Sequence, residues 1–211
     1  ASIGFDVGSL ALCATIYAGA SLNIIPEDIK LDMIKLNEYF TKHDVTYTAI
    51  TAQVAKLFMK QNNDTNLKLL SVGGEKLGDV ENPDYQLIDE YGPSEAFGFV
   101  SSINNLDKID SSSVGWLNYN TKAYVLDGQK RRVPINAVGE LYLAGYQIAD
   151  GYLNREEETI KSFVKNPFEE SDEYNIMYRT GDMVRLLPDN SLAMVGRRDS
   201  QVKIRGNRVD D

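Results

Sequence analysis

The 211-residue sequence predicts an α/β fold, a mainly parallel sheet with helices, followed by a small β-rich part. Three observations predict it. Strand-like and helix-like stretches alternate through the first half, as βαβ units require. After residue 113 or so the candidates are short strands separated by turn residues, with one helix among them. The composition, 43% hydrophobic and 25% charged, is that of a chain able to bury a core rather than of a disordered, collagenous or coiled-coil sequence.

Taken in order, residues 20–25 (ASLNII) read as a short strand. Residues 28–40 place Ile29, Met33, Leu36 and Phe40 at helical spacing among charged residues, which predicts an amphipathic helix. Residues 45–50 (VTYTAI) form a β-branched and aromatic strand, and 52–59 a helix. The run 67–72 (LKLLSV), ended by Gly73-Gly74, and residues 85–88 complete the strands of the first half. Beyond Ser111-Ser112-Ser113, strands are expected at 122–126, 139–144, 182–187 and 191–195, with a helix at 155–163. Asp127-Gly128, Asn136 and Pro188-Asp189-Asn190 supply turns between them. The division drawn is an α/β part at 1–112 and a β-rich part at 113–198, with 199–211 beyond.

Charge and rare residues exclude several functions. Lys+Arg 22 against Asp+Glu 31 leaves a net charge of −9, and a nucleic-acid surface needs clustered cations to displace counterions. The run Lys130-Arg131-Arg132 is too short to reverse that balance and is expected to decorate a turn. One cysteine, Cys13, excludes an internal disulfide, and with one histidine, His43, it excludes a structural zinc cluster. His43 lies in a polar stretch and is expected in a solvated loop. No apolar run approaches the roughly 20 residues that span a bilayer, and ASIGFDVGSL lacks a signal-peptide layout, so no membrane is expected and the cytoplasm is the default compartment.

Three segments are more particular than generic turns. Tyr91-Gly92-Pro93-Ser94-Glu95 follows a strand, where ligands of parallel sheets sit. It offers an aromatic face for a base, a fixed turn, a hydroxyl for phosphate and a carboxylate for Mg²⁺; it is equally compatible with a plain tight turn. Tyr178-Arg179-Thr180-Gly181-Asp182 ends in a carboxylate able to accept from both hydroxyls of a ribose, or else simply starts a strand. GRRDSQVKIRG, residues 196–206, alternates cations with Val202 and Ile204, and in isolation reads as a protected edge strand.

In this order the segments resemble the adenylation domains of nonribosomal peptide synthetases, within the superfamily of adenylate-forming enzymes. The resemblance runs through essentially the whole chain. Phe5-Asp6 with Gly8-Ser9 is similar to the FDxS motif, with Gly8 where Ser is usual, and Asp89-Glu90-Tyr91-Gly92-Pro93-Ser94-Glu95 to NxYGPTE. GELYLAG at 139–145 with ADGYL at 149–153 is similar to GELxIxGxxxARGYL, and YRTGD and GRRDSQVKIRG match closely.

The resemblance implies a small, distorted β-barrel-like second subdomain and a set of roles. Asp6 would bind the substrate's α-ammonium group, apt chemistry for rejecting plain fatty acids. Gly73 and Gly74 would let backbone approach adenine and substrate. Tyr91 would stack on the adenine of ATP or AMP, Ser94 would touch the α-phosphate and Glu95 would hold Mg²⁺. Asp182 would take the ribose hydroxyls with Arg197 assisting, and Asp199 would be the hinge of a C-terminal lid. The implied reaction joins an amino acid to AMP, for passage to the phosphopantetheine thiol of a carrier (thiolation) domain beside a condensation domain. By position, Asp6, Val7, Leu10, Ala49, Ser71, Gly73, Glu90, Gly98 and Phe99 would determine specificity, with Ala49, Gly73 and Gly98 leaving volume for a medium to large side chain.

Departures bear on this reading. Asp89 replaces the usual Asn near the adenine amino group, where a carboxylate still accepts a hydrogen bond. Asp150 replaces the usual Arg before Gly151, at a position expected to be structural. No Ser/Thr/Gly-rich loop followed by Lys occurs, since Val72-Gly73-Gly74-Glu75-Lys76-Leu77-Gly78 has too few glycines and hydroxyls. The chain is therefore expected to be a segment of an adenylation domain and inactive alone; amino-acid-dependent ATP–pyrophosphate exchange by the 211 residues would contradict this. Glu90 is either turned into the pocket, favouring a substrate with a hydroxyl or cationic group, or turned away in support of its loop. Two other readings stand beside the main one. An acyl- or aryl-CoA ligase shares the motifs but has no ammonium for Asp6 to bind; a non-catalytic nucleotide-binding scaffold would keep the fold without the reaction.

Overall fold

A computed structural model describes residues 4–61, 65–78, 80–81, 83–104 and 112–198, and the backbone of 202–204 and 207–209. The chain opens on a helix, α1 (Asp6–Tyr17), which the linear reading did not anticipate. Gly19, at φ 64°, ends it in the left-handed conformation that glycine adopts without strain. The strand expected at 20–25 does not form. Leu22 and Ile24 run exposed across the surface, where the Tyr39 hydroxyl donates to the Ile24 carbonyl at 3.0 Å, and Ile25 packs against the core. An apolar run becomes a strand only where a partner edge is within reach, and none meets this one.

Helix α2 (Met33–Lys42) starts later than expected because the Asp32 side chain accepts from the Lys35 amide at 3.2 Å and caps it there. Met33, Leu36 and Phe40 point inward at the predicted spacing. Strand β1 (Tyr47–Thr51) and helix α3 (Ala52–Met59) follow, then β2 (Leu69–Gly73) and β3 (Gln86–Tyr91). Phe40 and Phe58, both fully buried with ring centres 5.5 Å apart, join α2 to α3 over Leu70, Val72 and Leu87. Phe40→Ala is expected to destabilise the fold by about 3–5 kcal/mol, read as a lower urea midpoint with unchanged slope.

Past β3 the chain turns back on itself. One turn of 3₁₀ helix (Ser94–Ala96) leads to β4 (Ser101–Asn104), β5 (Ser113–Leu117), β6 (Thr121–Leu126) and β7 (Val138–Gly145). Helix α4 (Glu156–Ser162) precedes β8 (Phe163–Lys165), β9 (Ile176–Leu186) and β10 (Leu192–Arg197), and β11 (Val202–Ile204) pairs with β12 (Asn207–Val209) in a separate hairpin. The main sheet has ten strands in the order β1-β2-β3-β4-β5-β10-β9-β7-β6, with β8 on β9.

This corrects the expected sheet. Only β1–β2 and β2–β3 run parallel, and every other described pairing is antiparallel. Loop length explains the change, because a parallel return needs a crossover of about a dozen residues or more, usually helical, and the 92–100 connection is too short for one. The β-rich part does not close either: β1 and β6 are edges of an open path, so the described strands form no barrel. Strand β5 pairs with β4 on one side and β10 on the other, which makes the sheet continuous past residue 113. The turns follow their expected chemistry. Asn136 and Asn190 sit at φ 67° and 65°, and the Asp127 carboxylate accepts from the Gln129 and Arg131 amides at 2.9 Å each.

Candidate nucleotide and substrate site

The site lies where β3 leaves the sheet. Tyr91 ends β3 with its ring packed among Ala96, Val100, Leu141 and Val184, 9% exposed. Its hydroxyl donates to Asp182 Oδ2 at 2.5 Å. Burial and the adjacent Asp182 charge push the Tyr91 phenol well above its ordinary range, which keeps it a donor. Asp182, 6% exposed, receives Arg197 Nη1 on Oδ1 at 2.7 Å, and the same nitrogen donates to the Thr180 carbonyl at 3.2 Å. Thr180 fixes the turn around Gly181: its hydroxyl donates to the Leu141 carbonyl at 2.8 Å and accepts from the Asp182 amide at 3.0 Å. Tyr91, Asp182 and Arg197, 106 residues apart from first to last in sequence, thus meet in one hydrogen-bonded cluster.

The loop after Tyr91 is set by two glycines. A Cβ on Gly92 would stand 1.7 Å from the Gly98 carbonyl oxygen, and one on Gly98, at φ 94°, would meet Leu10 Cδ2 at 3.0 Å. Ser94 is exposed at the start of the 3₁₀ turn, while Glu95 is turned inward, 7% exposed. Glu95 Oε1 accepts from the Tyr152 hydroxyl at 2.6 Å, and its carbonyl from the Ala149 amide at 2.9 Å. Tyr152 lies in the ADGYL segment, and its pairing with Glu95 was not anticipated. The described residues hold no cluster of three or more His, Cys, Asp or Glu suited to a metal. A lone oriented carboxylate such as Glu95 fits Mg²⁺, which takes one or two protein carboxylates together with substrate phosphates.

Beside this cluster opens a cavity of about 380 Å³. Val7, Leu10, Ala11 and Ala14 of α1 form one wall, at the i, i+3, i+4, i+7 spacing of a single helix face. Tyr47 of β1, Glu90 of β3, Phe99 and Asn118 form the rest. Four residues expected in the specificity set, Val7, Leu10, Glu90 and Phe99, are therefore walls, and Glu90 faces the cavity rather than away from it. Tyr47, Ala11, Ala14 and Asn118 were missed. The helical spacing on α1 was a usable signal, obscured by Gly8, Ser9 and the β-branched Thr15 and Ile16.

The other expected substrate residues lie behind or beside the walls. Asp6 precedes the first of them, with Oδ1 accepting from the Val7 amide at 2.7 Å. Ala49 is half-buried on β1, and Ser71 is buried on β2 beside Glu90. The volume expected from Gly73 and Gly98 is not open. The place of a Gly73 side chain is taken by Phe99 Cε1 at 2.8 Å and the Glu90 carbonyl at 2.9 Å, and that of Gly98 by Leu10. Protein atoms, not open space, stand where a side chain at either glycine would point. Gly74 follows at φ 87°, and Asp89 is buried on β3. Asp199 lies outside the described residues.

Burial is the main cause that raises the Glu90 carboxyl to about 7, the Asp89 charge adding to it and the Ser71 hydroxyl opposing it. A carboxylate raised in the folded state adds stability that is complete below its unfolded pKa of 4.5 and is lost as pH rises through about 7. Glu90→Gln is accordingly expected to raise the melting temperature at pH 8 and to leave it nearly unchanged at pH 5.

A second carboxylate links three motifs. Glu140, buried in GELYLA, accepts from Arg179 of YRTGD through Nε at 2.7 Å and Nη2 at 3.2 Å, and from Arg198 Nη1 at 2.7 Å. Arg131 pairs with Asp127 on its turn, Arg132 lies over the Phe168 ring, and His43 ends α2 exposed against Tyr39. No described helix is long and apolar enough to cross a membrane.

The sequence and the fold are similar to those of known proteins. The chain is 39% identical over 210 residues to surfactin synthase subunit 2 of Bacillus subtilis (strain 168), covering 100% of itself and 6% of that protein. It is 37% identical to bacitracin synthase 1 of Bacillus licheniformis over 210 residues, again 100% of the chain and 4% of the relative, and 38% identical to malpinin synthetase of Mortierella alpina over 220 residues, 99% and 3%. It spans only a small fraction of the curated relatives it matches. Among solved structures it is similar to holo-PA1221, an NRPS protein containing adenylation and PCP domains bound to a vinylsulfonamide inhibitor, at TM-score 0.75 and 26% identity over 85% of this chain and 33% of that one. Another structure of PA1221 shares the fold across 100% of this chain and 44% of its own, at TM-score 0.83. The model of the AMP-binding enzymes matches residues 1–153, a stretch that takes in α1, the cavity walls, Tyr91 and the Glu95–Tyr152 pair, and the chain belongs to that family.

Proposed function

We propose that this chain is the amino-acid- and adenine-binding segment of an amino-acid-adenylating ligase, which forms an aminoacyl adenylate and pyrophosphate from an amino acid and ATP. The observation that carries the reading is the joining of Tyr91, Asp182 and Arg197, residues of three separate motifs, beside a cavity walled by α1 and Glu90. In this reading the division at 1–112 and 113–198 separates the substrate side from the strands that carry Asp182 and Arg197.

Each group then has a task. The Asp182 carboxylate, oriented by Tyr91 and Arg197, keeps lone pairs for ribose hydroxyls, because a carboxylate offers about four acceptor sites. Tyr91 presents an aromatic edge to the base and Asp89 an acceptor to its amino group. Ser94, exposed on the loop, would touch the α-phosphate. Glu95 would hold Mg²⁺, which supplies neutralisation of phosphate charge when bound. Asp6 would take the α-ammonium group. The protein contributes little covalent chemistry; holding the carboxylate and the α-phosphorus in line is what such a site supplies. The acyl group would pass to the phosphopantetheine thiol of a carrier domain, with a condensation domain as a further partner in the same assembly.

Amino-acid-dependent ATP–pyrophosphate exchange, measured in the intact domain that carries this segment, tests the reading. Exchange supported by at least one amino acid and lost in Asp182→Ala is the expected result. Activity with carboxylates lacking an α-amino group, undiminished by Asp6→Ala, would favour a CoA ligase and overturn it. Binding of AMP without exchange for any carboxylate would favour a scaffold.

A further inference from the structure

Glu90 lines the cavity with one oxygen of its carboxylate unpartnered. Its Oε2 is closed to water on every side and has no hydrogen-bond partner among the described residues, and since the side chain lines the cavity a small rotation brings that oxygen to a ligand there. The other walls do not compensate. Val7, Leu10 and Phe99 are apolar, and the Asn118 amide is already engaged, donating to the Phe99 carbonyl at 3.0 Å and accepting from the Ser102 hydroxyl at 2.9 Å. Ser71 on β2 and Tyr47 on β1 stand near Glu90, but Asp89 beside it on β3 adds a like charge, and no Lys or Arg is among the walls. An acid with one oxygen unpartnered and no cation among the walls is unfavourable alone and selective once a cation arrives.

We propose that the cavity receives a substrate side chain ending in a cationic hydrogen-bond donor, an ammonium or guanidinium group, which pairs with Glu90. This rests on the reading of the chain as part of an amino-acid-adenylating ligase and names its substrate class. The walls suit such a side chain along its length: methylenes lie against Leu10 and Phe99 while the charged tip reaches the carboxylate. The cavity of about 380 Å³ has room for it. A hydroxyl would satisfy one oxygen but leave the charge unpaired, and an aliphatic tip would satisfy neither.

The test is a panel of amino acids in ATP–pyrophosphate exchange with the intact domain, wild type and Glu90→Gln. Lysine, ornithine or arginine is expected to give the highest kcat/KM. Glu90→Gln is expected to lower it by about 10–100-fold, mainly through KM, and to turn the preference toward neutral amino acids of similar length. A thermal-shift measurement gives a readout apart from turnover: lysine, but not norleucine, stabilises the wild type, and Glu90→Gln abolishes the difference. A plain aliphatic or hydroxyl amino acid as the best substrate, with Glu90→Gln without effect, would overturn the proposal and leave amino-acid activation standing. Exchange with no amino acid at all would instead overturn the underlying reading, and this inference with it.

Discussion

Gly92→Ala is expected to disrupt the loop that carries Glu95 and to destabilise the protein by about 3 kcal/mol. The reason is local and severe. The added methyl carbon would lie 1.7 Å from the Gly98 carbonyl oxygen and 2.8 Å from its carbon, and these are backbone atoms that cannot rotate away. Relief requires the 92–98 loop to open, which separates Gly98 from Leu10 and lifts Phe99 from the cavity wall. Glu95 would lose its position opposite Tyr152. Gly128→Ala is the matched control, because nothing lies within 4 Å of its added carbon; there the expected change is within about 0.5 kcal/mol. Urea unfolding of both variants decides the matter, and equal stability would mean that the loop tolerates opening.

The second large effect belongs to Asp182. Alanine there removes the acceptor from both Tyr91 and Arg197 inside the protein, and breaking a buried pair by deleting one partner destabilises by about 3–5 kcal/mol. Asparagine keeps the shape and separates the two roles of the residue. Asp182→Asn is expected to stay folded but to bind AMP about 10–100-fold more weakly, the range for hydrogen bonds made by a charged group. Calorimetric titration of AMP with the intact domain checks this, and undiminished affinity would remove Asp182 from the nucleotide site.

Much of this was legible in linear form, for identifiable reasons. Helix α3 and the inward face of α2 were readable because Phe40, Leu36 and Met33 repeat at a helical period that polar neighbours interrupt. The turns at 127, 136 and 190 were readable because Asp, Asn and Gly there solve local backbone problems without reference to the rest of the chain. Strand direction was not, since it depends on whether a connection is long enough to cross over, and the short return after Tyr91 reversed the sheet. Helix α1 escaped because it is apolar on most faces and shows no clear polar alternation. In the site, residue identity and motif order were informative, while contact was not. Nothing in the linear pattern pairs Glu95 with Tyr152 or shows that the spaces at Gly73 and Gly98 are filled by Phe99 and Leu10.

The Glu140 cluster has a mechanical consequence. Arg198 is tied twice, by its guanidinium to Glu140 and by its backbone amide to the Gly181 carbonyl at 2.9 Å. Glu140 is in turn gripped by Arg179, one residue before Thr180. Load applied from beyond residue 198 is therefore received by a three-cornered bracket before it reaches Asp182. The bracket ties the end of β10 to β7 and to the turn that carries Asp182, so that carboxylate is braced against displacement from two neighbouring strands.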